Sequence, residues 1–534
     1  MTTLTRPYSI AEMIRDRATE LGDNPVFTYQ GKQLTYRALD QKSDLVAKSL
    51  LACGVQKGDR LAVLAKNSPV YFELIGAAAK IGAVVVPVNW RLAGPELTFI
   101  LNDSGAKMCF LEQAFADRID AIRATLEQVI SVFVIDGEGA TYKQLHQPSE
   151  RIDKITIDQS FTDTADQEVV QLYTSGTTGK PKGAVLSSRM LIALRGQEDD
   201  YIVPEWQGYE IGETGLLVMP CFHVGGTSFG LGIIYNGAHS IVLPEYDQDQ
   251  VVDMIQTFRV NKAFMVPAAL QSLLNNPKLA SADLNSLTHI YYGASPIPMD
   301  LMRLAVERLG CSFVQMYGMT ETAGTIVALP PEDHTLATKD KRLLEKMSSV
   351  GKPLQGVELK IVNEQGDSLP VRNIGEIATR SQKNISAYWN RPDATSDTID
   401  AEGWLRTGDA GFLDEDGYLY IRDRVKDMII SGGENVYPAE VENALYSHDA
   451  IKDVAVIGVP DERWGEAVKA VVVLEQGQNV DADAIIQFSR ERIAGYKCPK
   501  SIDFIAQLPR NAAGKVLRKD LREPYWKGKT KAVN

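Results

Sequence analysis

Tyr173-Thr174-Ser175-Gly176-Thr177-Thr178-Gly179-Lys180-Pro181-Lys182-Gly183 follows the apolar run Val169-Val170-Gln171-Leu172. Glycines, hydroxyls and two lysines after a strand-like run describe a loop whose amides and hydroxyls can wrap a phosphate. The spacing is not that of a P-loop: Gly176 and Gly179 are three residues apart, and Pro181 stands where a serine or threonine would follow the lysine. Pro181 also disfavours helical geometry at Lys180. A kinase or GTPase is thereby excluded, and a mobile loop between two strands is expected.

Outward from this loop the pattern alternates strand and helix. Leu61 to Ala65, a helical stretch from Pro69 to Lys80, and Ala83-Val84-Val85-Val86-Pro87-Val88 read as strand, helix, strand, and similar strands recur at Lys262 to Val266 and His289 to Tyr292. Ser9-Ile10-Ala11-Glu12 has capping-box form and opens an amphipathic helix. A break falls near residue 424. Upstream stand 40 basic and 53 acidic residues, and from Val425 onward 16 of each. The expected fold class is therefore α/β: a large N-terminal domain of layered α/β subdomains over residues 1–424, and a small mobile α+β domain over 425–534.

With 534 residues and 44% hydrophobic content the chain is ordinary globular protein, long enough for two to four domains. A net charge of −13 argues against nucleic acid as a partner. Five isolated cysteines without C-x-x-C spacing, and an N-terminus lacking an apolar signal core, lead to a reduced cytoplasmic setting. Residues 215–244 contain no Asp, Glu, Lys or Arg but six glycines and Pro220, which reads as buried core of an α/β domain and not as a transmembrane segment.

The loop at 173–183 resembles the phosphate-loop signature of the adenylate-forming enzymes, which include acyl-CoA synthetases, luciferase and the adenylation domains of peptide synthetases. Further matches follow in the family's order. Tyr317-Gly318-Met319-Thr320-Glu321-Thr322 is similar to its Y-G-x-T-E motif and Trp404-Leu405-Arg406-Thr407-Gly408-Asp409 to its W-x-x-T-G-D. Arg422-Asp423-Arg424-Val425-Lys426-Asp427 is similar to its hinge, and Pro509-Arg510-Asn511-Ala512-Ala513-Gly514-Lys515 to its terminal P-R-x-x-x-G-K.

The resemblance implies ATP, Mg²⁺ and coenzyme A as cofactors and assigns roles residue by residue. Lys515 reaches the carboxylate and α-phosphate oxygens. Thr174 and Glu321 hold the metal and phosphates, with Ser175, Gly176, Thr177, Thr178, Gly179 and Lys180 forming the rest of the loop. Adenine lies between Tyr317 and Gly293-Ala294-Ser295, Thr320 contacts the α-phosphate, and Asp409 and Arg424 take the ribose. His223 borders the carboxylate. The chemistry requires this cationic supply, because joining a carboxylate to ATP brings two anions together.

By the same resemblance the small domain turns about Lys426, where the family has lysine or aspartate, and exposes Gly432, Gly433 and Trp464 to coenzyme A. The small residues 227–232 are expected to leave room for an elongated apolar acyl group. The implied activity is acyl-CoA synthesis from a medium- or long-chain fatty acid. Aryl acids, sterol- or terpenoid-derived acids, and loading of a carrier protein are the alternatives, and a homodimer is compatible with the chain. A nucleotide sensor without catalysis is disfavoured, because Thr174, Glu321, Asp409 and Lys515 are all retained.

Overall fold

The computed structural model describes residues 4–128, 131–137, 141–147, 152, 154–157, 164–174, 181–195, 202–295, 297–334, 345–432, 434–510 and 516–527. Ser9 caps the first helix, Ile10–Leu21, its hydroxyl accepting the Glu12 amide at 3.1 Å, while Tyr8 N–H donates to the Glu12 carboxylate at 2.8 Å. The Glu12 amide, which has no partner within the helix, is thereby satisfied, and the Glu12 side chain ties down the residue before the cap. The buried face of this helix, Ile10, Met13, Ile14 and Leu21, enters the largest apolar core together with Phe27, Leu61, Phe72 and Leu231.

Packing divides the chain into two units. The larger comprises residues 1–296, 303–358 and 379–405, and the smaller 297–302, 359–378 and 406–534. The charge break at 424 falls inside the smaller unit, so the change in composition and the change in packing occur at different places.

Two twisted sheets dominate the larger unit. One has six strands in the order Ser131–Val134, Ala106–Leu111, Arg60–Leu64, Val84–Pro87, Glu168–Thr174, Lys182–Ser187, all parallel except the last. The other has nine strands, with Thr214–Leu217, His239–Val242, Lys262–Met265, His289–Gly293 and Ser312–Met319 forming a parallel centre. Parallel strands covered by helices on both faces must be apolar throughout, which accounts for the uncharged stretch 215–244: it folds as the strand Thr214–Leu217, the helix Val224–Asn236 and the strand His239–Val242. Among the described residues no helix is long and apolar enough to cross a membrane.

The smaller unit contains the helix Pro438–Tyr446 against a sheet built on the long antiparallel pair Ile451–Asp461 and Gly465–Leu474, with the helices Ala482–Arg490 and Arg518–Trp526. Its main core is Ile429, Val441, Val456, Val468, Ala470 and Ile485. The whole is a mixed α/β protein with a large N-terminal and a smaller C-terminal part.

Candidate active site

The strands Glu168–Thr174 and Lys182–Ser187 pair in a register that sets Thr174 opposite Lys182, so the chain leaves and re-enters the sheet at one end. Thr174 Oγ1 donates to Lys182 O at a long 3.5 Å. Ser175, Gly176, Thr177, Thr178, Gly179 and Lys180 lie outside the described residues, as do Gly433 and Lys515.

Glu321 follows the end of the strand Ser312–Met319 in a single 3₁₀ turn, and is 5% exposed. Thr322 pins this turn: its hydroxyl accepts the Met319 amide at 3.0 Å and donates to Gly324 O at 2.7 Å. Tyr388 OH donates to Glu321 Oε1 at 2.7 Å, and the Ile385 amide donates to Glu321 O at 2.8 Å. Tyr388 also bridges to Ala184, and its ring lies 5.0 Å from Lys182 Nζ. One tyrosine thus ties the strand after the phosphate loop to the buried glutamate. Tyr388 has no role assigned from sequence.

Gly293-Ala294-Ser295 ends the strand next to that of Tyr317, with Gly293 opposite Met316. A Cβ at Gly293 would stand 2.1 Å from Met316 O, so only glycine permits this approach. Ala294 has a φ of +64° and is exposed with Ser295, while Tyr317 and Thr320 are half-buried. These residues, with Glu321, gather at the carboxyl ends of adjacent parallel strands, where open α/β sheets bind ligands.

His223 is the N-cap of the helix Val224–Asn236. Asn67 fixes the preceding turn, donating to Met219 O at 3.0 Å and accepting the Cys221 amide at 2.8 Å. The His223 ring is half-buried, and its Nε2 is enclosed without a hydrogen-bond partner among the described residues. Burial, reinforced by the positive charge of Arg91, lowers its pKa to about 4. The ring is therefore neutral at physiological pH, beside a helix N-terminus that favours negative charge. A folded pKa below the ordinary 6.5 adds stability that is complete above about pH 6.5 and is lost as pH falls toward 4. Thermal melts across that window are expected to show wild type losing its advantage over His223→Asn as pH drops. An unchanged difference would contradict the buried neutral ring.

The glycines of this helix do not leave the expected space. A Cβ at Gly230 would lie 2.1 Å from the Phe72 ring, one at Gly226 2.3 Å from Pro220 O, and one at Gly232 2.9 Å from the Arg195 guanidinium. The protein's own atoms fill these notches, which corrects the reading of a small-residue wall as room for an acyl chain. The apolar surface beside the helix is aromatic instead: Phe229 lies 6.2 Å from Tyr291 and 6.3 Å from Phe264, with Trp206 and Met316 also partly buried.

In the smaller unit Asp409 and Arg424 face each other across an antiparallel pair and are joined at 2.8 Å, Asp409 Oδ1 accepting from Arg424 Nε. Thr407 orients this turn by donating to Ile377 O at 2.9 Å and accepting the Asp409 amide at 3.1 Å. The Lys426 carbonyl accepts from Arg522 at 3.4 Å. Gly432 (φ +62°) donates its amide to Trp464 O at 2.8 Å, and a Cβ there would stand 2.6 Å from the indole, which is 39% exposed.

Among the described residues no cluster of three His, Cys, Asp or Glu side chains could hold a metal alone. The oxygen donors of Glu321 and Thr174 suit a hard cation that takes its remaining ligands from phosphate and water, as magnesium does.

The model of the AMP-binding enzyme family matches residues 14–389, and that of the AMP-binding enzyme C-terminal domain matches residues 440–515. A fatty acid–[acyl-carrier-protein] ligase, ScoC of Streptomyces coeruleorubidus, is 38% identical over 96% of this chain and 95% of its own. The long-chain-fatty-acid–CoA ligase FadD13 of Mycobacterium tuberculosis is 36% identical over 97% and 98%. The o-succinylbenzoate CoA synthetase of Bacillus subtilis, solved with its acyl-adenylate intermediate, superposes with a TM-score of 0.81 at 30% identity over 97% and 98%. The chain therefore belongs to the AMP-binding enzyme family, as an adenylate-forming acid–thiol ligase that carries the family's C-terminal domain.

Proposed function

We propose that the protein joins a carboxylic acid to ATP as an acyl-AMP, releasing pyrophosphate, and then passes the acyl group to the thiol of coenzyme A, releasing AMP. The observation that carries the acid-binding half is the N-terminus of the helix Val224–Asn236, where His223 Nε2 is enclosed without a hydrogen-bond partner among the described residues and the first turns of the same helix meet the partly buried Phe264 and carry the partly buried Phe229. A carboxylate can meet the imidazole and the helix end while an apolar body lies on the rings.

Thr174 and Glu321 would hold magnesium, which when bound supplies positive charge to the phosphate oxygens. Tyr388 keeps the Glu321 carboxylate in place. Tyr317 and Gly293-Ala294-Ser295 line the adenine position, Thr320 the α-phosphate, and the Asp409 and Arg424 pair the ribose. Lys515 neutralises the meeting anions during adenylation. Lys426 is the hinge, and Gly432 with Trp464 offers the surface for the coenzyme. A fatty acid of medium or long chain is the first reading of the acid. An aryl acid is the second, favoured by the aromatic cluster. A carrier-protein thiol is the rival acceptor, favoured by the likeness to the carrier-protein ligase of Streptomyces coeruleorubidus.

Pyrophosphate release measured over a panel of fatty and aryl acids, with free coenzyme A in one arm and holo-carrier protein in the other, tests this. Thioester formation with free coenzyme A is expected; product with the carrier alone would reassign the acceptor.

A further inference from the structure

The two ends of the phosphate loop rest on a closed circuit of contacts within the larger unit. Tyr173, the residue before Thr174, donates its hydroxyl to Asp103 Oδ2 at 2.8 Å and accepts from Gln171 Nε2 at 3.1 Å. Gln171 is fully buried, and its Oε1 accepts from Arg60 Nε at 3.2 Å. The Arg60 guanidinium lies 3.5 Å from the centre of the Trp389 ring, close enough for a cation–π contact. The circuit closes at Asp103: Trp389 Nε1 donates to the Asp103 carbonyl at 3.1 Å, and Arg391 pairs with Oδ1 of its carboxylate.

The returning strand joins the same circuit. Gly183 stands opposite Tyr173, its carbonyl accepts the Trp389 amide at 2.8 Å, and a Cβ there would lie 2.6 Å from Gln171 Nε2 and 3.2 Å from the Tyr173 ring. Packing on Gln171 and Tyr173 therefore accounts for the last glycine of the motif without a phosphate. Asp103 is unfavourable where it stands. It is the penultimate residue of the helix Gly94–Ser104, where the helix dipole opposes negative charge, and its side chain is 10% exposed. Arg391 balances the charge on one oxygen, and the Tyr173 phenol satisfies the other. Burial, and then this hydrogen bond, hold the phenol far above its usual range, so it remains a donor.

We propose that Asp103 and Tyr173 are positioning residues for the phosphate site: they fix Thr174 and Lys182, the pair from which the loop departs, and so hold Thr174 ready for the metal-bound phosphates. This rests on the nucleotide-binding reading above and extends it to residues outside the loop. ATP sets a triphosphate and its magnesium against Thr174, whereas AMP carries only the phosphate assigned to Thr320. A clasp that acts through Thr174 affects the first nucleotide and spares the second.

The test is calorimetric binding of MgATP and of AMP, each without acid, to wild type, Tyr173→Phe, Asp103→Asn and the double variant. Tyr173→Phe is expected to weaken MgATP about tenfold, the lower end of what removing the partner behind a metal ligand costs, and to leave AMP binding unchanged. The double variant is expected to lose no more than the worse single variant, because both substitutions break one contact. Tyr173→Phe removes a single oxygen and decides the matter by itself should Asp103→Asn not fold. Equal losses for MgATP and AMP, no loss for either, or losses that simply add in the double variant would overturn the proposal and leave the ligase reading intact. Wild type that binds neither nucleotide would overturn both.

Discussion

Lys515→Ala is expected to lower acyl-AMP formation by about 10²- to 10³-fold, the usual effect of deleting one preorganised donor to a developing charge. Thioester formation from supplied acyl-AMP and coenzyme A is expected to survive. The reason is electrostatic: the first half-reaction forces a carboxylate against a polyphosphate, whereas the second brings a thiol to a neutral mixed anhydride carbon. The residues flanking Lys515 are held together, since Arg510 pairs with Val516 and the Leu517 amide donates to Pro509 O at 2.8 Å. Pyrophosphate release measures the first half, and AMP release from synthetic acyl-AMP the second. Equal loss in both would remove the assignment of Lys515 to adenylation alone.

Arg518→Met carries the largest expected effect on stability. Arg518 is joined to Glu442 at 2.8 Å and lies 3.6 Å from Asp427 and 3.9 Å from Asp423, while Arg522 holds Asp427 at 2.9 Å. Burial raises the pKa of Asp423 and Glu442, and Arg518 opposes that rise. Without the guanidinium three carboxylates share a buried site, a loss of about 3 to 5 kcal/mol for breaking such a network from one side. Groups whose folded pKa is raised contribute stability below their unfolded pKa and lose it as pH rises. The deficit of the variant is therefore expected to be large near pH 8 and smaller near pH 5, as denaturant titrations would show. A deficit independent of pH would mean that packing of the side chain, not its charge, matters.

Much of this architecture can be read in the linear chain where the signal is local. The Ser9 cap, the strand before Thr174 and the turn of Tyr317 to Thr322 each depend on residues within a few positions of one another. The uncharged run 215–244 was legible as core because a buried parallel sheet leaves no place for charge. The tie between Tyr388 and Glu321 was not, as 67 residues separate them and neither string announces the other. Asp103 was invisible for a different reason: an aspartate at the end of a helix reads as solvated, and only packing reveals that it is enclosed. The glycines of the helix after His223 show a third limit. A missing side chain signals close approach, but whether a ligand or Phe72 approaches is decided by folding.

The first strand, Pro25–Tyr29, lies parallel to His239–Val242 in the nine-stranded sheet. Synthesis at about 5 to 20 residues per second puts roughly 10 to 40 s between these partners, which stand about 210 residues apart. In that interval the first strand has only its antiparallel neighbour Lys32–Thr35 to pair with, so its other edge stays open while the chain grows. Slow translation would therefore prolong the exposure of that edge and reduce the yield of this enzyme without touching any residue of its chemistry.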